Sequence, residues 1–371
     1  MAAAGWRKRV VSGPAVVAVV LVLVVLAGGG YAAKPLWQPW WYASRVCAGL
    51  LSADDLADVL PAEQLKAGRE EADLAHGRLR CGVDTPDDHF SLLVEVDSDP
   101  DEVDRRLQGE FALPTVPRFV FPAGIPGFQG DLGHYIVQEC PDLRRDSLGR
   151  KRRLVTRVTG RWDEKRGTPA TLRIAVSAAN GAAERSGCGA PRLPLPQRAV
   201  LHPKAVPPAR GGAGCGRPAR TRLPESPAGG PWRVVARSDA HAAITRCALV
   251  DRTGAEYAEL SAWYGDWTDE PFRTLITGNV RLPRGFPPGG QVMSEDFGTA
   301  AARCAGESAH YEVSGFRAPE GRRLTARELR PLLVAFAREQ AERRGCDRLA
   351  LPGKRIFPNG RPGEPVLPEE G

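Results

Sequence analysis

Asp97, Asp99 and Asp101 alternate with single residues, the spacing with which a calcium-binding loop opens. Such a loop needs glycine at its sixth position for the sharp turn and a bidentate glutamate at its twelfth. Glu102 and Gln108 hold those two places. Asp99-Pro100-Asp101-Glu102 instead opens a helix, with a capping carboxylate and acids in the first turn. A second acidic group, Asp84, Asp87, Asp88 and His89, pairs carboxylates with a side chain that titrates near neutrality, as acid–base work requires. Neighbouring strand residues point to opposite faces, however, so Asp88 and His89 belong to a solvated turn. His134-Tyr135 and His310-Tyr311 look like a repeated motif, but they lie on different strands relative to the nearest cysteine. No Gly-x-Ser-x-Gly elbow, His-Glu-x-x-His pair or phosphate-cradling glycine loop is present. No catalytic, cofactor-binding or metal-ligating residue is assigned.

The remaining reactive residues are eight cysteines, with no Cys-x-x-Cys pair that would suit zinc. Cys47, Cys81, Cys140 and Cys188 are 34, 59 and 48 positions apart. Cys215, Cys247, Cys304 and Cys346 follow with 32, 57 and 42. The flanking residues agree: Arg80-Cys81 with Arg246-Cys247, and Phe121-Pro-Ala-Gly124 with Phe286-Pro-Pro-Gly289. Asp131-Leu-Gly133 matches Asp296-Phe-Gly298, and Val158-Thr-Gly160 matches Val313-Ser-Gly315. Gly187-Cys188 and Gly345-Cys346 each precede a Leu-Pro. The chain reads as a tandem duplication.

The two copies specify the same elements. Phe90, Leu92, Val94 and Val96 alternate with Ser91, Leu93 and Glu95, the period of a strand. Ala258, Leu260, Ala262 and Tyr264 take the same role in the second copy. Each pairs with the strand carrying the second cysteine across a turn, Asp84–Asp87 or Asp251–Gly254. A helix follows, opened by Asp99 or by Thr268-Asp269-Glu270. A second hairpin joins His134–Cys140 to Arg153–Trp162. Each copy closes with a helix. The first is capped at Thr168-Pro169, with Leu172, Ala175, Val176, Ala179 and Ala183 on one face. The second carries Leu329, Leu332, Leu333, Phe336, Ala337 and Ala341; Thr325 and Glu328 form a capping box, and Pro331 moves the expected start toward Glu328. Only the first copy has an early helix, Ser52 to Leu60.

Four cysteines allow three pairings. If the third strand runs up to Cys140, the fourth returns and the last helix runs up again, so Cys188 ends beside Cys140. That topology favours Cys47–Cys81, Cys140–Cys188, Cys215–Cys247 and Cys304–Cys346. Loops of this size each contribute about 3–4 kcal/mol by the chain-entropy estimate.

These elements follow an uncharged stretch, Val10 to Ala33, behind Arg7, Lys8 and Arg9. As a helix it would span about 36 Å, enough for a hydrocarbon core of about 30 Å. The preceding basic cluster keeps the N-terminus inside, and Trp37, Trp40, Trp41 and Tyr42 fall at the aromatic belt. The rival is a signal peptide cleaved near Gly30-Tyr31-Ala32, though the apolar run is long for one. Either way the bulk of the 371 residues is exported, which suits disulfides. The expected organisation is a stub at 1–9, an anchor at 10–33, a first repeat at 44–195, a Pro/Gly-rich linker at 196–212, a second repeat at 213–352 and a disordered tail at 353–371. The fold class is α+β: a transmembrane helix, then two disulfide-bonded domains, each a sheet of about four antiparallel strands with a packed C-terminal helix.

The opening Cys47-Ala-Gly-Leu-Leu-Ser-Ala-Asp-Asp-Leu, with the basic N-terminus, apolar segment and Trp-rich junction, is similar to exported domains of filamentous actinobacteria. In layout the chain resembles their membrane-anchored secreted proteins with duplicated cysteine-containing domains. That resemblance implies export and tethering and transfers no site residue. Arginine outnumbers lysine as in a GC-rich genome, so the net charge of +7 is no nucleic-acid signal. Lys204, Arg210, Arg217, Arg220 and Arg222 read as a solvated linker rather than a polymer-binding strip. The expected function is a non-enzymatic envelope protein that binds a partner protein, wall polymer or small ligand, without cofactor or nucleic acid. Two tethered copies favour avidity through matched patches such as those around Trp162 and Trp263. The alternative is an envelope hydrolase or transferase whose site is assembled from scattered residues. A sensory or assembly role through the membrane helix is disfavoured by the short stub.

Overall fold

The computed structural model describes residues 13–62, 64–87, 89–111, 119–121, 124–130, 133–147, 149–161, 164–196, 204–207, 215, 221–223, 225–226, 228–236, 244–287, 289–316 and 323–360. Asp88, Asp131, Leu132, Trp162, Arg210, Arg217, Arg220 and the stub at 1–9 lie outside them. The fold is α+β with two antiparallel sheets.

In the first sheet, β1 (Lys66–Ala67) and β2 (Glu71–Asp73) both pair with β3 (Arg78–Asp84). From β3 the order continues through β4 (Ser91–Asp97), β8 (Arg153–Arg161), β7 (His134–Glu139), β6 (Gly127–Gln129) and β5 (Phe119–Val120). Two helices belong to this half, α4 (Pro100–Phe111) between the hairpins and α5 (Glu164–Arg185) after them. The second sheet runs β14 (Asp347–Ala350), β12 (Phe297–Cys304), β13 (Glu307–Gly315), β11 (Glu256–Tyr264), β10 (Ile244–Val250) and β9 (Arg233–Ala236). Its helices are α6 (Asp269–Asn279) and α7 (Ala326–Arg344). The four-strand expectation thus covers the centre of each sheet. The added edge strands are mostly two to four residues long, too short for a period-two pattern to mark them.

Register carries the likeness of the two halves. Cys81 lies opposite Val94 and Val94 opposite Val158; Cys247 lies opposite Leu260 and Leu260 opposite Val313. Val158-Thr-Gly160 and Val313-Ser-Gly315 therefore occupy the same place. A Cβ on Gly160 would stand 2.0 Å from the Ser91 carbonyl oxygen, and one on Gly315 would stand 2.9 Å from Leu329 of α7. The first copy needs glycine there because the obstacle is backbone; in the second a side chain would press on the end of Leu329. One match shifts: Val158 faces His134 and Val313 faces Gly298, so His134, not Gly133, takes the place of Gly298. The Asp-x-Gly motifs are therefore one residue out of phase.

On one face of each sheet the apolar alternation meets the long helix. Leu92, Val94, Val96, Ile136 and Val158 pack with Leu172, Ala175, Val176 and Ala179 of α5. Ala258, Leu260, Ala262, Tyr311 and Val313 pack with Leu329, Leu332, Leu333 and Phe336 of α7. Both helices start earlier than expected, at Glu164 and Ala326, with Pro169 and Pro331 inside the second turn. Each proline deletes only one early hydrogen bond, a loss the buried face outweighs. The Thr325–Glu328 capping box is formed ahead of Pro331. Disulfides join Cys47 to Cys81, Cys140 to Cys188, Cys215 to Cys247 and Cys304 to Cys346.

The other faces of the two sheets meet each other. Val103 and Leu107 of α4, Phe128, Tyr135, Val137 and Val155 share one core with Ile244, Trp263, Trp267, Phe272, Ile276 and Phe297. The Phe128 ring stacks on Tyr135 at 5.0 Å and meets Trp263 edge-on at 6.2 Å. Trp263 is fully buried in this seam, so it serves no ligand-facing patch, and the halves are not two free binding units. Of the expected tail, 361–371 lie outside the described residues, and within 353–360 Phe357 is buried in the same core, Arg281 N–H donates to Pro358 O and Gly360 N–H to Asn279 O. A single large apolar residue is enough to dock a Pro/Gly-rich segment whose composition reads as open chain.

Ahead of the first sheet stand α1 (Gly13–Ala32), α2 (Lys34–Arg45) and α3 (Ala53–Val59). Ser52 caps α3, accepting from Asp55 N–H at 3.4 Å. Every Val and Leu of α1 from Val17 to Leu26 is more than half exposed. Among the described residues no single helix is long and apolar enough to cross a membrane; Val17–Ala32 and Lys34–Arg45 together qualify as a pair bent by 72°.

Candidate functional site

The acidic groups singled out in the sequence do not converge. Asp97 turns to Arg106, 2.6 Å away, Asp101 turns to Arg150, and Asp99 caps α4 by accepting from Asp101 and Glu102 N–H. Among the described residues no group of His, Cys, Asp and Glu is arranged to hold a metal. Asp87 and His89 lie exposed on the β3–β4 turn, with Thr85 donating to Asp87. His134 is buried against Thr171 of α5 at 2.8 Å, and desolvation pulls its pKa down to about 4. His134 is on β7 and His310 on β13, so they hold different places in their sheets. Thr268, expected as the cap of α6, instead donates its hydroxyl to Gly265 O.

The facing sides of both sheets carry buried charge. Glu95 opposes Arg157 in the first half, where Ser261 opposes Glu312 in the second. Arg106 lies 2.8 Å from Glu95 and also serves Asp97, whose carboxyl burial nevertheless lifts to about 6. In the second half Arg246 pairs with Glu259, and Glu312 is driven by burial, with Glu259 adding to it, from 4.5 to about 8. A carboxyl whose folded pKa is raised adds stability that is complete below its unfolded pKa and is lost as pH rises through the folded one. Unfolding titrations should therefore show the protein losing stability between about pH 4.5 and 8, and Glu312→Gln should flatten that slope. A slope unchanged in the variant would place the titration elsewhere.

The seam opens at one end into a cleft of about 500 Å³ that sequence reasoning missed, because its walls come from both halves. The first half supplies the opening turn of α4 (Pro100, Val103, Asp104) and the β7–β8 loop (Arg145 to Arg153). The second supplies the run from Asp266 to Arg273 and Arg303 at the end of β12. Arg150 anchors the first wall, 2.7 Å from Asp101, 3.3 Å from Asp104 and 2.5 Å from Asp146; these bonds raise its pKa. Lys151 and Arg153 reach across the seam to Glu307, Arg153 at 3.4 Å. Burial, then the neighbouring Glu307, raises the Glu139 carboxyl. On the second wall, Arg303 stands 3.9 Å from Asp266, and Glu270 accepts from Gln108 of α4 at 3.4 Å.

Behind this wall His310 Nε2 lies 2.7 Å from Asp269 Oδ1, its ring stacked on Phe272 at 4.4 Å. Burial alone would raise the Asp269 carboxyl, but hydrogen bonds from His310 and Ser308 outweigh it and hold it low. Val155 occupies the place of His310 in the first half, since Val158 and Val313 correspond. The lining thus carries six cations and four acids, and no Ser, Thr, Cys or His side chain. It can recognise charge of either sign. Comparison with family models, with curated proteins and with solved structures finds no match to this chain.

Proposed function

We propose that the chain is a plasma-membrane protein anchored by the uncharged stretch Val10 to Ala33, to which α1 belongs, N-terminus inside, whose exported duplicated halves form one non-enzymatic binding head. The seam cleft is its recognition site. The ligand is an envelope component, protein or wall polymer, that presents both amine and carboxylate groups. The observation that supports this reading is the mixed-sign cleft, ten charged side chains drawn from both halves, several of them fixed by ion pairs such as Arg150–Asp101 and Lys151–Glu307. Fixed pairs keep a binding surface preorganised, and complementary charge sets specificity. The apolar α1, more than half exposed along its described Val and Leu side chains, supports the anchor. A cleaved signal would leave the same head secreted.

The test is co-purification of the full chain from its native membrane, wild type beside Arg303→Glu. Arg303 is 44% exposed at the cleft rim, so its reversal should leave folding intact while lowering recovery of the bound component about tenfold, or 1.4 kcal/mol. Equal recovery in the variant would remove the cleft from recognition. The Asp269–His310 pair, absent from the first half, favours a second reading, an envelope hydrolase or transferase that activates water. Recovery of no partner, together with turnover of a wall-derived substrate abolished by His310→Gln, would replace the first reading with the second.

A further inference from the structure

We propose that α2 is a lipid-surface helix, lying in the outer headgroup layer and seating the first half flat against the bilayer. The proposal rests on the reading of α1 as a membrane anchor. One face of α2 belongs to the head: Pro39 and Ala43 are buried, Gln38 accepts from Leu65 N–H at 3.3 Å, and Cys47 just beyond is bonded to Cys81 of β3. Leu36, Trp37 and Trp40 stand clear of the head, 84%, 41% and 66% exposed, and no charged side chain lies among them. A helix that gives one apolar face to its own protein and another to solvent has a second partner to meet.

The bend identifies that partner. The Trp37 indole N–H donates to Gly30 O of α1 at 3.1 Å, so this exposed face is on the inner side of the 72° corner. If α1 runs along the membrane normal, α2 runs close to the membrane plane, and the space inside the corner is bilayer. Leu and Trp are the residues an interfacial helix buries about 5–10 Å into the headgroup boundary. Lys34 sits at the corner over the Tyr31 ring, and Arg45 over Trp41, both placed to reach phosphate.

The test reconstitutes the full chain in phosphatidylcholine vesicles whose lipids are brominated near the headgroup end or near the methyl end of the acyl chain. Flotation reports α1, and tryptophan quenching is compared between wild type and Trp37→Tyr/Trp40→Tyr. The expected result is flotation of both proteins, with quenching by the shallow bromines lost in the variant and little contribution from the deep ones. Flotation with equal quenching in the two proteins overturns the seating of α2 and leaves the anchor standing. Failure to float overturns the anchor itself. If Trp37 and Trp40 are shielded from a soluble quencher in native membranes yet unquenched by bromolipid in vesicles, a protein covers this face and the proposal is wrong.

Discussion

Trp263→Ala should lower the unfolding free energy by about 3–5 kcal/mol, and it should do so for both halves at once. The indole is fully buried, with Phe128 of the other half edge-on to it. Removing it leaves a cavity in a core fed by both sheets and by α4 and α6, which a rigid seam closes only in part. Because neither half keeps that face covered alone, far-UV circular dichroism and tryptophan fluorescence should report one coincident denaturant transition in wild type and variant. Two separated transitions, with the first half's midpoint unmoved, would mean that the halves fold independently and that the seam is incidental.

A loss of similar size, about 3–5 kcal/mol, is expected from Arg246→Met, for an electrostatic reason. Arg246 is 4% exposed and bonded to a buried Glu259, with Glu312 beside them. Without the guanidinium, the buried Glu259 carboxylate loses the cation bonded to it, and less of its desolvation is offset. Protonation relieves this, so the deficit should shrink as pH falls, whereas a purely steric loss would not. Arg246→Met/Glu259→Leu should recover much of the stability by removing both charges. The matching residue of the first half is a built-in control: Arg80 is 61% exposed and 3.6 Å from Glu95, and Arg80→Met should cost less than about 1 kcal/mol. Equal effects at the two positions would sink this account.

Much of each half was legible because its signals are local or recur. The alternation of Leu92, Val94 and Val96 fixes a strand and the face it buries, and the stripe Leu329 to Ala341 fixes a helix. Thr325 with Glu328, and Asp99 with Asp101 and Glu102, mark helix starts through hydrogen bonds made within one turn. Strand direction favoured one of the three cysteine pairings, since a chain that runs up, down and up returns Cys188 to Cys140, and that pairing is the one formed. Short edge strands such as Lys66–Ala67 had no pattern to read, because their pairing depends on a neighbour already in place.

The amino-acid sequence by itself determined an apolar N-terminal segment, two matched cysteine quartets and the strand and helix types, and it favoured one disulfide pairing of three. All of these follow from periods and spacings along the chain. Tertiary structure alone decided what the copies do together. Glu95, Arg246, Trp263 and Glu312 sit on strand positions that alternation marks only as the other face, and nothing local says whether that face meets water or a second sheet. Because the halves close on each other, Trp263 becomes core rather than a ligand patch, and a charged cleft opens at the seam. There Arg150, Lys151 and Asp269, more than a hundred residues apart in part, become neighbours only when both sheets are folded and docked.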